Sequence, residues 1–428
     1  MAVSERDIPR LQQIINVALR NGASIHQIVN KLEDALEGAY HPRGYDATDL
    51  DIATLVYRLG GRQLLFALNQ KLAIPSLRTL RTRAVFTVIT PTIGTIRNEH
   101  FDNNIHAVVL SSRTESVLCG VSLMIDEIAL EEMAVHFSKY NKVGGLCWKH
   151  SHLVDPVLRT YESAVNIAQR IHDGHVHLGK ELTVMGASCF GRDEIFPILA
   201  APTCKSENAN DMEQILTEAI DRWNATGAAA QVGPVWSVAT DGDATRRAAG
   251  HRLFVKSPLS ESSDLYGTLI NMPGLNLFTG NNEVTLDFDF KHIFKRKYMH
   301  SPSISAGVVL NNGRIINSMM LARYLVWLPA FDKAAVTKLL YPDDPQDVPR
   351  GVELMFAIIK FSKSQHAIVN DSFSTDIDTR ADLQSIALLS ALLESILLPF
   401  TNLSLSLSEQ FMLLSRYSHL AFAFFHAH

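Results

Sequence analysis

Residues 235–247 read VWSVATDGDATRR and change from apolar to charged within a few positions. The first six residues are typical of a buried β-strand, and the segment Asp241-Gly242-Asp243 is typical of the turn that ends such a strand. Two interpretations of the acids are open. Asp-Gly pairs favour tight turns for conformational reasons alone, whereas a carboxylate at the tip of a core strand can also serve as a metal ligand.

Length and composition are those of an ordinary globular protein. The chain has 428 residues, of which 47% are hydrophobic and 19% charged, so it has room for two or three domains and a large core. The net charge of −5 gives no overall attraction to phosphate, and DNA binding would need a local basic patch. The first twenty residues carry acids and lack a long apolar core, and the cysteines are widely spaced, so we expect an intracellular protein that is not secreted.

Changes of pattern divide the chain into three predicted regions. Residues 1–100 have helical spacing, with a stop at Gly60-Gly61, and residues 301–428 are apolar and helical in period. Residues 101–300 alternate between strand and helix patterns, including a hairpin over 181–204 and an amphipathic helix over 208–227. We therefore predict an α/β domain with a mixed sheet between an N-terminal helical segment and a C-terminal all-α domain.

No membrane span is expected. The most apolar stretch, residues 385–400, is interrupted by Glu394 and is shorter than the ~20 residues that a transmembrane helix needs. We interpret it as a buried helix of the C-terminal region.

Asp126 and Asp241 are the predicted catalytic residues and metal ligands. Each closes an apolar strand pattern, and neighbouring strands lie only ~4.8 Å apart. Two carboxylates that close repel each other unless a divalent cation lies between them, and Mg²⁺ or Mn²⁺ suits such oxygen donors. Arg246 and Arg247 are then predicted to contact nucleic-acid phosphate, while Glu127 should point to the face opposite Asp126.

Residues 286–300, LDFDFKHIFKRKYMH, combine two acids, two histidines and four lysine or arginine residues. Asp289 and His292 have the spacing of one helical face, and Lys295 and Arg296 are predicted to contact nucleic acid. An amphipathic helix with acids in its first turn explains the same pattern. The histidine pairs His150/His152 and His175/His177 are interpreted as surface residues rather than zinc ligands, because no cysteine pair supports a zinc site.

Four stretches resemble the transposases of the P-element and THAP-domain group. They are LGGRQLLFALNQKLAIPSLRTLR, SLMIDEIAL, SVATDGDATRR and DFDFKHIFKR, at residues 59–81, 122–130, 237–247 and 287–296. The resemblance implies an RNase H-like catalytic domain interrupted by a helical insertion, with Asp126 and Asp241 as two of three metal-binding acids. It makes Asp289 and His292 part of the motif that leads into the insertion.

The resemblance also implies DNA as partner, a nuclear rather than cytoplasmic location, and GTP binding by the insertion. The N-terminal zinc module of that family has no counterpart in this sequence, and the third acid is not identifiable; Glu394 and Glu409 are the candidates. We therefore expect a transposase-derived protein that is truncated or inactive as a recombinase, and that self-associates or lacks a C-terminal portion. The alternative is a non-catalytic helical interaction or scaffold protein.

Overall fold

A computed structural model describes the chain in fourteen stretches: residues 15, 18–19, 22–36, 45, 47–72, 74–83, 89–111, 117–272, 274–299, 308–309, 314–329, 331–341, 347–368 and 376–427. The chain forms two compact units, Met1–Val88 and Ile89–His428.

The first unit is helical. Its described helices are α1 (Ile25–Leu36), α2 (Ala47–Leu72) and α3 (Leu77–Arg83). The range of α2 contains two helices that meet at the glycine pair, where the sequence predicts a helix stop: Gly61 leaves the helical conformation (φ 68°), and the second helix follows directly. Ala53, Leu65 and Leu80 form a small core between α2 and α3.

The second unit contains a five-stranded mixed sheet in the order β5-β4-β1-β6-β9. Its strands are β1 (Val121–Ala129), β4 (Glu181–Cys189), β5 (Ile195–Thr203), β6 (Val235–Thr240) and β9 (Thr285–Phe288). The β4–β5 hairpin pairs antiparallel with β1, whereas β6 and β9 run parallel to β1 on its other side. The remaining strands are short: β2 (Val135–Phe137), β3 (Lys142–Gly144), β7 (Ser257–Pro258), β8 (Phe278–Thr279), β10 (Val308–Val309) and β11 (Ile315–Ile316).

Helices cover the sheet and enclose its core. They are α4 (Asn98–Asn104, continued by a π-helical segment Ile105–Leu110), α5 (Tyr161–His172), α6 (Ala209–Ala225), α7 (Ala228–Gln231), α8 (Ala244–Phe254), α9 (Tyr266–Leu269) and α10 (Phe290–Met299). Strand β1 alternates as the sequence predicts, with Val121, Leu123 and Ile125 buried in this core. Asn208 caps α6, and the buried Trp223 donates its indole N–H to the Gly233 carbonyl oxygen at 3.0 Å.

Five further helices pack around a second core: α11 (Ser318–Leu325), α12 (Lys333–Leu340), α13 (Val348–Ile368), α14 (Ile377–Thr401) and α15 (Leu407–Ala427). Helix α10 directly follows the sheet strand β9 and packs against the second core, where Phe290 stacks on Phe400 with ring centroids 5.1 Å apart. The helical residues after position 300 thus belong to the same compact unit as the sheet.

Among the described residues, α14 is long and apolar enough to cross a membrane, judged by length and composition alone. The fold offers another explanation for this composition. Ile386, Ile396 and Leu397 of α14 are buried in the second core, and its Asp382 accepts a hydrogen bond from the Tyr324 hydroxyl at 2.9 Å. The absence of a membrane span therefore stays a prediction.

The coarse prediction of an α/β layer with a helical C-terminal region is confirmed. The hairpin over 181–204, the helix over 208–227 and the strand at 235–240 all form as the sequence predicts. The local signals agreed with the tertiary structure here, because hydrophobic period and turn residues pointed to the same elements.

Candidate metal sites at the sheet edge

Strand register brings Asp126 and Asp241 side by side. Strands β1 and β6 are parallel neighbours, and the last paired residues are Ile125 and Thr240. Asp241 directly follows the end of β6. Contrary to the prediction from the sequence, Asp126 does not end its strand, because β1 continues beside β4 to Ala129. Both residues come directly after the last β1–β6 pair, and both line the same cavity. Their proposed roles as metal ligands and catalytic residues are not tested by this placement and stay predictions.

The Asp241-Gly242-Asp243 segment is also a genuine turn. Gly242 has φ 73°, a conformation that favours glycine, and the Asp241 Oδ1 atom accepts a hydrogen bond from the Asp243 amide at 3.0 Å. Asp243 caps helix α8 by accepting from the Thr245 amide at 2.8 Å. The structural interpretation therefore accounts for Asp243 and Gly242, while one oxygen of Asp241 also faces a cation.

That cation is Arg246, which the sequence analysis expected to face phosphate. Its side chain is only 2% exposed, and its Nη1 atom lies 2.9 Å from Asp241 Oδ1. The same guanidinium forms an ion pair with Glu127. Burial lowers the pKa of Arg246, and the nearby Asp126 carboxylate partly opposes this effect. Arg246 thus bridges two carboxylates inside the protein, whereas Arg247 is exposed on α8.

A cavity of about 510 Å³ opens around these residues. Its lining includes six carboxylates and two basic side chains: Asp126, Glu127, Glu181, Glu207, Asp241, Asp243, Lys205 and Arg246. Glu127 reaches this cavity although the strand pattern predicts that it faces away from Asp126. The excess of hard oxygen donors fits Mg²⁺ or Mn²⁺ and fits a soft metal poorly.

Asp289 lies at the same edge, one strand further along. Its amide donates to the Thr240 carbonyl oxygen at 2.9 Å, and its side chain accepts from the Lys291 amide at 2.9 Å, at the start of α10. His292 Nδ1 lies 2.7 Å from Asp289 Oδ2. The pair therefore closes the first turn of α10, as the helical interpretation predicts. The side chains of Lys295 and Arg296 lie outside the described residues.

The two candidates for a third acid lie elsewhere. Glu394 forms an ion pair with Lys363, and Glu409 accepts hydrogen bonds from the Ser406 amide and hydroxyl, both at 2.7 Å. Neither residue lines the acidic cavity. The further carboxylates that the fold brings close to Asp126 and Asp241 are instead Glu127 and Asp243.

A second cluster of potential ligands borders the cavity. The ligand atoms of Cys147, His150 and Cys204 all lie within 4.8 Å of one another. Cys204 Sγ is 3.6 Å from His150 Nδ1, and Cys147 Sγ is 3.7 Å from Glu207 Oε1. Burial raises the pKa of the Cys147 thiol to about 12, with a further contribution from its hydrogen bond to Cys204.

Sequence reasoning missed this cluster. It assigned His150 to the surface because the cysteines are far apart in the chain. Helix α5 and the β4–β5 hairpin both lie between Cys147 and Cys204. The Cys147-Trp148-Lys149-His150 spacing was the available signal, since two residues between ligands is common in metal-binding turns.

Comparison with known proteins adds one distant structural likeness. No protein-family model and no curated protein sequence matches this chain. Among solved structures the chain is similar to the Drosophila P element transposase strand transfer complex, with 10% identity, a TM-score of 0.47, and coverage of 97% of this chain and 86% of that one. At that TM-score the likeness supports no conclusion about site or function, so the proposals below depend on topology and side chains.

Proposed function

We propose that this protein is transposase-derived and has an RNase H-like core whose Asp126 and Asp241 hold Mg²⁺ or Mn²⁺ for phosphodiester cleavage or strand transfer in DNA. The observation that carries the proposal is the register of β1 and β6, which sets these two aspartates next to each other at the mouth of an acidic cavity.

The sheet supports an RNase H-like core. An antiparallel hairpin lies on one side of β1 and two parallel strands on the other, in the order β5-β4-β1-β6-β9, which is the arrangement of RNase H-like sheets. Helix α6 precedes β6, and α8 connects β6 to the last strand, as in alternating α/β folds. Asp241 directly follows β6, and Asp126 lies within β1, directly after the last residue of β1 that pairs with β6.

Electrostatics support a cation at this edge. Six carboxylates against two basic side chains repel a phosphodiester, so DNA could approach only after the acids are neutralised. Bound Mg²⁺ would polarise the phosphoryl oxygen and activate an attacking water. Asp126 and Asp241 would hold the ion, while the exposed Arg247 on α8 would contact the DNA backbone beside it.

The same proposal includes binding of a guanine nucleotide by the C-terminal helical region and a nuclear location. Both follow from the motif resemblance alone.

A second candidate function is non-catalytic interaction, and two observations favour it. Arg246 already supplies a positive charge between Asp241 and Glu127, which lowers the need for a metal at that point. Phe422 and Phe425 of α15 are 65% and 76% exposed, as expected for a helix that contacts a partner or a second copy of this chain. In that case the residues at the sheet edge stabilise the fold and bind no metal.

Isothermal titration with Mn²⁺ separates the two functions. We expect the full chain to bind Mn²⁺ and Asp126→Asn to bind it at least about tenfold more weakly, because one of the two aspartate ligands is lost. Asp126 is the more informative position, since Asp241 also pairs with Arg246 and its replacement would disturb the fold. Glu194→Gln is the matched control, because this exposed acid lies in the β4–β5 turn.

Absence of heat from the wild-type protein would reject the metal site and favour the interaction function. Equal affinities in wild type and Asp126→Asn would exclude Asp126 as ligand. If Mn²⁺ binds as expected, strand cleavage of duplex DNA ends with added Mg²⁺ then distinguishes an active enzyme from an inactive one.

A further inference from the structure

The cluster of Cys147, His150 and Cys204 has the spacing of a tetrahedral metal site. With Zn–S near 2.3 Å and Zn–N near 2.0 Å, a sulfur and a nitrogen on one zinc ion lie roughly 3.5 Å apart. Cys204 Sγ and His150 Nδ1 are 3.6 Å apart, and all three ligand atoms fall within 4.8 Å of one another. The side chains therefore need little movement to share one ion.

Backbone contacts hold the three residues in place. Cys147 donates its amide to the His177 carbonyl oxygen at 2.8 Å, and the Cys147 carbonyl oxygen accepts from the His150 amide at 3.2 Å. This turn orients Cys147 and His150 toward each other. Cys204 directly follows β5, and the next residue, Lys205, takes a left-handed conformation with φ 64°.

We propose that Cys147, His150 and Cys204 bind Zn²⁺, at a site separate from the carboxylates of the acidic cavity. Thiolate and imidazole donors select zinc over magnesium, whereas the cavity has the reverse preference. A fourth position remains for water or a nearby side chain. Glu207 lies 3.7 Å from Cys147 Sγ, and the ring of His177 lies 4.4 Å from that of His150.

The ion would tie two separate parts of the fold together. It would connect the turn after β3 to the end of β5, which are joined in the described structure by hydrogen bonds such as Trp148 amide to Pro202 carbonyl at 2.9 Å. Lys205 and Glu207, which follow Cys204 closely, line the acidic cavity. The zinc site would therefore fix one wall of the proposed catalytic cavity.

Metal content and cobalt spectroscopy test this inference on the full chain. Protein loaded with Zn²⁺ and then freed of excess metal is expected to keep one equivalent per chain by elemental analysis. Co²⁺ in its place should show a thiolate-to-cobalt charge-transfer band and the intense visible bands of tetrahedral cobalt. The Cys147→Ser/Cys204→Ser double variant should keep less than about a tenth of an equivalent and lose the charge-transfer band.

Cys119→Ser is the matched control, because Cys119 is a partly exposed free cysteine outside the cluster. If the double variant fails to fold by circular dichroism, His150→Ala and Cys204→Ser replace it, since both residues are only partly buried. Retention of zinc by these variants at the wild-type level would overturn the proposal. So would metal-free wild type with two thiols fewer than expected by thiol titration, because a Cys147–Cys204 disulfide would then explain the cluster.

None of these readouts uses DNA cleavage or Mn²⁺ binding. If the zinc proposal is rejected, the function proposed for Asp126 and Asp241 is unaffected. If that function is rejected, the zinc proposal is unaffected.

Discussion

The acidic cavity and the cysteine–histidine cluster are neighbours, but the charges of their side chains are compensated differently. In the cavity, the buried guanidinium of Arg246 forms ion pairs with the carboxylates of Asp241 and Glu127. In the cluster, burial raises the pKa of the Cys147 thiol to about 12, which favours its neutral form when no metal is bound. The two sites thus differ in how charge is compensated, by a buried guanidinium in the cavity and by the neutral form of Cys147 in the cluster.

The largest expected effect tests whether the two sites choose different metals. We expect Cys147→Ser/Cys204→Ser to weaken Zn²⁺ binding by at least about a hundredfold while Mn²⁺ binding changes less than about twofold. Asp126→Asn should show the opposite pattern. Competition titrations with a chromophoric chelator, run with each metal on each variant, measure both affinities. Loss of both metals in one variant would mean that the clusters form a single site.

Replacement of Arg246 tests how much its buried positive charge, which pairs with Asp241 and Glu127, contributes to stability. Arg246→Met keeps much of the side-chain volume but leaves Asp241 and Glu127 without their cation, and we expect a loss of about 3–5 kcal/mol in the free energy of unfolding. Urea denaturation without divalent ions measures the loss. Added Mn²⁺ should stabilise the variant more than the wild type, because the ion can take the place of the guanidinium.

Arg222→Met is the matched substitution for that experiment. Arg222 forms a two-pronged pair with Asp102, with both contacts at 2.7 Å, but the two side chains are 25% and 28% exposed. Solvent screens such a pair, so its loss should cost less than about half of the Arg246→Met loss. Equal costs would show that burial of Arg246 is not what makes it important.

The smallest expected effect concerns Glu207, which touches both sites. Glu207→Gln removes one negative charge from the cavity wall and should weaken Mn²⁺ binding roughly threefold by simple electrostatics. Zinc affinity should change less than about twofold if water fills the fourth position. A loss of zinc affinity above about tenfold would instead identify Glu207 as the fourth zinc ligand. Glu181→Gln is the control, since Glu181 lines the cavity and pairs with Lys205.

Sequence reasoning predicted the elements around the sheet and singled out Asp126 and Asp241, which line the acidic cavity, but it did not place the other acids of that cavity there. Asp126 and Asp241 were visible because each ends an apolar run, which is a local signal. Arg246 was expected to contact phosphate, and the structure instead buries it beside Asp241 and Glu127, because a formal charge in the sequence carries no information on burial. Glu127 was expected to face away from Asp126, since strand alternation does not account for the Arg246 side chain that pairs with it.

By itself, the sequence determined the strand and helix periods, the helix over 208–227 and the glycine turn at Gly242, because all of these depend on near neighbours in the chain. Only the tertiary structure decided that β1 and β6 are adjacent and that Cys204 meets Cys147 and His150. These contacts join residues more than fifty positions apart, and they are set by the packing of the sheet and by the register of its strands.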